Sequence, residues 1–222
     1  MEGKENNILP AAQYTQQVDP VVSRTKFDRE LLTFKQVEEY NRQRGIFMLH
    51  ADFPNIVLAF TAYRVRPLAF VFTVRLDFTN YDLEAPSLKF IDPISGTELR
   101  REQLNTSMLR SANNLPESLQ GGQKPQQHSD LIASHPPHNI PFFCIPGIRE
   151  YHNHPFHTND PWLSHRGKGE GTLGFIVDQL HKYGTDPINN ILPNAATFLQ
   201  SSSNTMQVQF QGFKFSIDKI PK

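Results

Sequence analysis

The run Leu68–Phe78 (LAFVFTVRLDF) does most to limit the folds open to this chain. Phe70, Phe72, Val74, Leu76 and Phe78 recur at every second position. Successive side chains of a strand point to opposite faces, so this period puts the apolar set on one face of a sheet. Thr79, Asn80, Tyr81 and Asp82 follow as a turn. Ser87–Ile91 reads as the next short strand, closed by Asp92-Pro93 and Ser95-Gly96. Ile46–Leu49 and Ile56–Ala62 are short apolar runs that precede it. Strands joined by such short turns pair antiparallel.

Helical patterns flank this sheet. Between Phe27 and Arg44, Leu31, Leu32, Phe34, Val37 and Tyr40 recur near helical spacing, and Gly45 ends the run. Gly171–Tyr183 is a second helix with Leu173, Ile176, Val177 and Leu180 on its buried stripe and Gly184 as its stop. Strands between two helices predict an α+β sandwich. At 222 residues the chain suits one domain. Residues 1–25, polar and Gln-rich, are expected as a flexible arm before a single domain at 26–222. Residues 97–140 are weakly patterned and read as an insertion, with a short helix near Leu99–Leu109. Phe142–Tyr151 is expected to run extended, and 185–205 as a loop. Met206–Ile217 alternates as a strand with a bulge at Gly212.

Acidic and basic residues balance at 22 each, which disfavours nucleic acid as the main partner. The seventeen phenylalanines point to aromatic, sheet-rich packing. The single cysteine, Cys144, has no partner for an internal disulfide, as in a reducing compartment. No apolar run reaches the roughly 18 residues of a membrane helix, and the first residues carry no signal-peptide pattern. These features predict a cytoplasmic protein that needs no membrane.

The chemistry concentrates between residues 143 and 157. Cys144 is followed by Glu150, His152 and His154 at alternate positions, then by His157. In an extended segment Glu150, His152 and His154 share one face. Pro155 biases His154 towards extended geometry, and Pro146-Gly147 lets the chain turn so that Cys144 approaches the same point. A thiolate, a carboxylate and two neutral imidazoles suit tetrahedral zinc. The plainer alternative is a polar loop of surface histidines around a structural cysteine. His157 and His165 are spare ligands, and Asp160 and Glu170 are carboxylates able to orient imidazoles, although capping before Pro161 is the simpler role for Asp160. Trp162 reads as core. The glycine-rich Arg166–Gly171 stretch lacks P-loop spacing.

The order of these features resembles the ubiquitin-conjugating (E2) family. Phe78, Tyr81, Pro86 and Phe90 match the register in which that family's third strand leads into its fourth, and Cys144, Trp162 and the helix at 171–183 keep the family's order of active-site cysteine, tryptophan and helix. The resemblance spans roughly residues 27–183. Asp82 stands where the family has proline, Ala85 replaces one of the paired prolines, and the nearest echo of the His-Pro-Asn signature is His135–Asn139. The set Cys144, Glu150, His152 and His154 is similar, in order, to that of a predicted metal-binding family encoded in bacterial operons for ubiquitin-like conjugation.

These resemblances imply an E2-like antiparallel meander with an N-terminal and a C-terminal helix plus a long insertion. They imply an E2-like metal-binding component of a bacterial ubiquitin-like pathway, with zinc held by Cys144, Glu150, His152 and His154, and with a ubiquitin-like protein and an E1-like protein as partners. One alternative is an active conjugating enzyme that forms a thioester on Cys144, helped by a histidine or Asn139. A further alternative is a metallohydrolase with Glu150 as base and an open metal position.

Overall fold

A computed structural model describes residues 17–104, 106–111, 128–135, 139–200, 205–217 and 219–222. The chain is a mixed α+β protein. Helices α1 (Pro20–Gln36) and α2 (Glu38–Gln43) lead into strands β1 (Ile46–Asp52), β2 (Asn55–Ala62), β3 (Ala69–Asp77) and β4 (Ser87–Ile91). These four form an antiparallel meander in sequence order.

Helix α1 starts at Pro20, seven residues earlier than expected at Phe27. Asp19 caps it by accepting from the Val21 N–H at 2.9 Å, and Pro20 has a preset φ for the first turn. The early turns carry exposed Val21 and Val22, so no buried stripe announced them. The stripe itself also differs from expectation: α1 buries Ser23, Phe27, Glu30 and Phe34, whereas Leu32, Val37 and Tyr40 face solvent. Gly45, at φ +78°, then turns the chain into β1, and a Cβ there would lie 2.4 Å from the Thr61 hydroxyl.

The core lies where α1 and α4 (Leu173–Gly184) meet the sheet. Ile56, Leu58, Phe60, Val74, Leu76 and Leu88 are fully buried there with Phe27 and Phe34 of α1 and Leu173, Ile176, Val177 and Leu180 of α4. Phe60 stacks on Phe72 with centroids 4.8 Å apart, and Phe72 meets Phe90 edge-on at 5.9 Å. Phe70 departs from the expected face and is exposed, because a register shift interrupts the β2–β3 ladder between Phe60 and Thr61. The buried carboxylate of Glu30 ties these layers together. It accepts from the Leu173 N–H at 3.0 Å, where a negative charge suits the start of α4, and from the Tyr81 hydroxyl at 3.3 Å.

The expected insertion is not a simple loop. It contains a 3₁₀ turn at Arg101–Gln103 in place of the expected helix over 99–109, then β5 (Leu109–Ser111) and β6 (His128–Asp130), which pair, and β7 (Ile132–His135). Gly121, Gly122, Pro125 and His138 lie outside the described residues. Strand β8 (Ile140–Phe143) pairs with β7. The expected loop at 185–205 contains β9 (Ile188–Gln200), which pairs antiparallel with β10 (Thr205–Ile217). Asn and Pro interrupt the apolar alternation of β9, and Pro193 is tolerated because β9 has only β10 as a ladder partner among the described residues. The register shift expected at Gly212 is present between Phe210 and Gly212. Among the described residues no helix is long and apolar enough to cross a membrane.

Candidate functional site

Cys144 follows β8 directly. Its N–H donates to the Leu131 carbonyl at 2.7 Å, and Ile145 and Ile148 anchor the next turn in the core. Gly147 sits between them at φ +100°, and a Cβ there would lie 2.0 Å from the Glu170 carbonyl oxygen. Only a glycine lets the 160–171 segment lie this close to the cysteine turn.

The chain then forms a helical turn, α3 (Arg149–His152), rather than the extended run expected through Tyr151. On a helix, residues two apart point about 200° apart in projection, so Glu150 and His152 face different ways. The physical cause is the burial of Arg149 and Glu150. Arg149 donates from its backbone N–H to the Pro86 carbonyl at 2.9 Å and from Nε to the Ala85 carbonyl at 3.0 Å. Glu150 accepts from the Ser87 hydroxyl and, at 3.1 Å, from the Leu88 N–H, and it pairs with Lys89 at 2.9 Å. Two charged residues in a row therefore staple the cysteine turn to β4 and the loop before it. Buried charges persist when paired and hydrogen-bonded in this way.

His152 is also engaged at both nitrogens. Its Nδ1 lies 2.8 Å from the Asp160 carbonyl, so it donates there, and Nε2 accepts from the Gly147 N–H at 3.4 Å. Burial, foremost, pushes its pKa below the ordinary imidazole value. His154 accepts from the Phe156 N–H at 3.3 Å, and its ring lies 5.0 Å from that of His135 and 5.7 Å from that of His157. Cys144, Glu150, His152 and His154 thus do not converge, and among the described residues no group of three or more His, Cys, Asp or Glu side chains is placed to hold a metal ion. As arranged, the set does not fit a tetrahedral zinc. The Glu150 carboxylate, the expected base of a hydrolase, is taken up by Ser87, Leu88 and Lys89.

The cysteine has a different partner. Cys144 Sγ lies 3.3 Å from His157 Nε2. Burial pushes the Cys144 thiol pKa up, and the nearby charge of Arg110 acts against this. The His157 ring stacks on Tyr151 at 3.8 Å with 20° between planes. The Tyr151 hydroxyl donates to Asp160 Oδ2 at 2.7 Å, and the other oxygen of Asp160 lies 2.5 Å from His165 Nε2. His165 Nδ1 meets the Glu170 carboxylate. Burial alone would depress the His165 imidazole, but the hydrogen bonds to Asp160 and Glu170 outweigh it and raise its pKa. Asp160 is thus more than the cap before Pro161 that its position suggested. Trp162 is buried as expected and donates to the Asp82 carbonyl at 2.9 Å. Asn139 lies in the turn before β8 and donates to Glu102 at 2.9 Å.

A thiol in contact with an imidazole can pass its proton and act as a nucleophile. The sequence offered His157 only as a spare ligand, because no local periodicity joins it to Cys144.

The model of the Y4jH-like family matches residues 18–188. The chain belongs to this family. It is 39% identical over 181 residues to the uncharacterized protein y4jH of Sinorhizobium fredii (strain NBRC 101917 / NGR234), covering 79% of this chain and 88% of that relative. The family match takes in the meander, the cysteine turn, the Tyr151–Glu170 contacts and α4, and ends where the β9–β10 ribbon begins.

Proposed function

We propose that this protein is an E2-like acyl carrier of a bacterial ubiquitin-like pathway, with Cys144 as its nucleophile. The observation that carries the reading is the 3.3 Å contact between Cys144 Sγ and His157 Nε2. Supporting it, helix, four-stranded meander, cysteine turn and helix follow one another in the order of the E2 family. In the reaction, the Cys144 proton passes to His157 and the sulfur attacks the carbonyl of a ubiquitin-like C-terminus held as a thioester on an E1-like protein. A new C–S bond forms, the old one breaks, and the E1 thiolate departs and takes up a proton. The thioester stays reactive enough for a second transfer. In the test, the protein is mixed with ATP, the ubiquitin-like protein and the E1-like protein of its own genome. A thiol-sensitive adduct is expected, absent in Cys144→Ala and replaced by a thiol-resistant ester in Cys144→Ser. The same mixture giving no adduct with the wild type counts against the reading.

The zinc reading keeps one supporting observation. Burial holds both His152 and His154 towards the neutral, ligand-competent form. It requires Glu150 to leave Ser87, Leu88 and Lys89, and metal analysis of the purified protein tests it.

A further inference from the structure

We propose that Tyr151 is the positioning residue of the Cys144–His157 pair, and that Asp160, His165 and Glu170 form the clamp that holds it. The inference rests on Cys144 as nucleophile and adds how its partner is aimed. In the serine-protease arrangement a carboxylate bonded to the far nitrogen of the imidazole fixes its orientation. Among the described residues no carboxylate is hydrogen-bonded to the His157 ring. The ring instead lies flat on the Tyr151 phenol, 3.8 Å away. A stack of this kind fixes the plane of the imidazole, and the 2.9 Å bond from the His157 N–H to the His154 carbonyl fixes its backbone.

Tyr151 can orient another ring because it is itself held at both ends. Its backbone belongs to α3, which Arg149 and Glu150 bind to β4 and the preceding loop. Its hydroxyl is bound to Asp160 at 2.7 Å, and Asp160 is bound to His165 at 2.5 Å. His165 is bridged between two carboxylates, so it cannot turn without breaking one contact. Glu170, the second of these, comes back to the start, since its backbone carbonyl abuts Gly147 in the cysteine turn. The contacts form a closed circuit from Cys144 through His157, Tyr151, Asp160, His165 and Glu170 to the turn that carries Cys144.

The test is the rate at which iodoacetamide alkylates Cys144 at one fixed pH, read by intact mass. Cys144 is the sole cysteine, so the adduct that Cys144→Ala fails to form is the one at the site. Loss of a positioned base is expected to slow His157→Ala by at least about tenfold. Tyr151→Leu, which loses both stack and clamp, should fall to about the same rate. Tyr151→Phe keeps the stack and should recover most of the loss, remaining about threefold below wild type. Asp160→Asn should match Tyr151→Phe, and the double variant should be no slower than either single one, as for residues acting through one contact. Melting temperatures are measured alongside. If Tyr151→Leu does not fold, Asp160→Asn and His165→Gln carry the test, and wild-type rates in both overturn the clamp. Tyr151→Leu at the wild-type rate beside a slow His157→Ala also overturns the clamp and leaves the Cys144–His157 pair standing. His157→Ala at the wild-type rate overturns the pair itself.

Discussion

The meander with its two long helices and the segment from Cys144 to Gly171 are held together by different physics. The first is joined by apolar side chains with no exposure at all, such as Ile56, Leu58, Val74 and Leu88. Its attraction is roughly proportional to buried area and has little direction. The second is wired by directional polar contacts: Arg149 and Glu150 to the strand and loop, His152 to Gly147 and Asp160, and Tyr151 to Asp160. A body of the first kind depends on how well its volume is filled, whereas a circuit of the second kind sets particular atoms at fixed distances. Reactive groups belong on the second and need the first to hold it.

The largest expected effects separate the two regions. Leu58→Ala should cost about 2–5 kcal/mol in urea unfolding by leaving a cavity, while the alkylation rate of Cys144 in the folded protein stays near wild type. Glu150→Ala should cost about 3–5 kcal/mol by breaking a buried, hydrogen-bonded pair, and should alter that rate as well. Equal behaviour of the two variants would erase the distinction.

Next is the pH dependence of the body. Burial, foremost, lowers the His181 pKa to about 4, with the Arg44 charge adding to it. The unfolded chain titrates near 6.5, so between these values it binds a proton that the folded protein does not. Stability is therefore unaffected by this group above about pH 6.5, and falls as pH drops towards 4, by about 3 kcal/mol in all. His181→Phe should flatten that part of the stability–pH curve, and an unchanged slope would remove His181 as its cause. Gly147→Ala is expected to cost about 1–3 kcal/mol through its φ and the Glu170 carbonyl, with slower alkylation of Cys144. The smallest effect is at the exposed Glu38–Arg42 pair of α2, 3.0 Å apart, where Arg42→Ala should change stability by only about 0.3–0.5 kcal/mol.

The two regions also differed in how legible they were. Alternation along β3 and the stripe of α4 are repeated local signals, so β2, β3, β4 and the second helix are legible within a residue or two, whereas β1 runs three residues past its expected end at Leu49. The first helix is legible but its buried face is not, since a charged residue, Glu30, occupies a buried position to serve the start of α4. The β9 strand leaves no such signal because its regularity lies in pairing with β10 rather than in its own composition. At the site, Cys144 stood out as the only cysteine, but alternate spacing suggested one extended face for Glu150, His152 and His154. Buried contacts of Arg149 and Glu150 with β4 and its loop decide the local helix instead, and such long-range contacts leave no periodic mark. For the same reason His157 is joined to Cys144 by tertiary structure alone.

The most direct test of a free, His157-paired thiol is titration of Cys144 with a chromogenic disulfide on protein purified without chelator, with zinc measured in the same sample. One reactive thiol per chain is expected before any chelator is added, with zinc well below one per chain. A thiol that stays silent until chelation, with about one zinc per chain that is lost in Cys144→Ser, would contradict it.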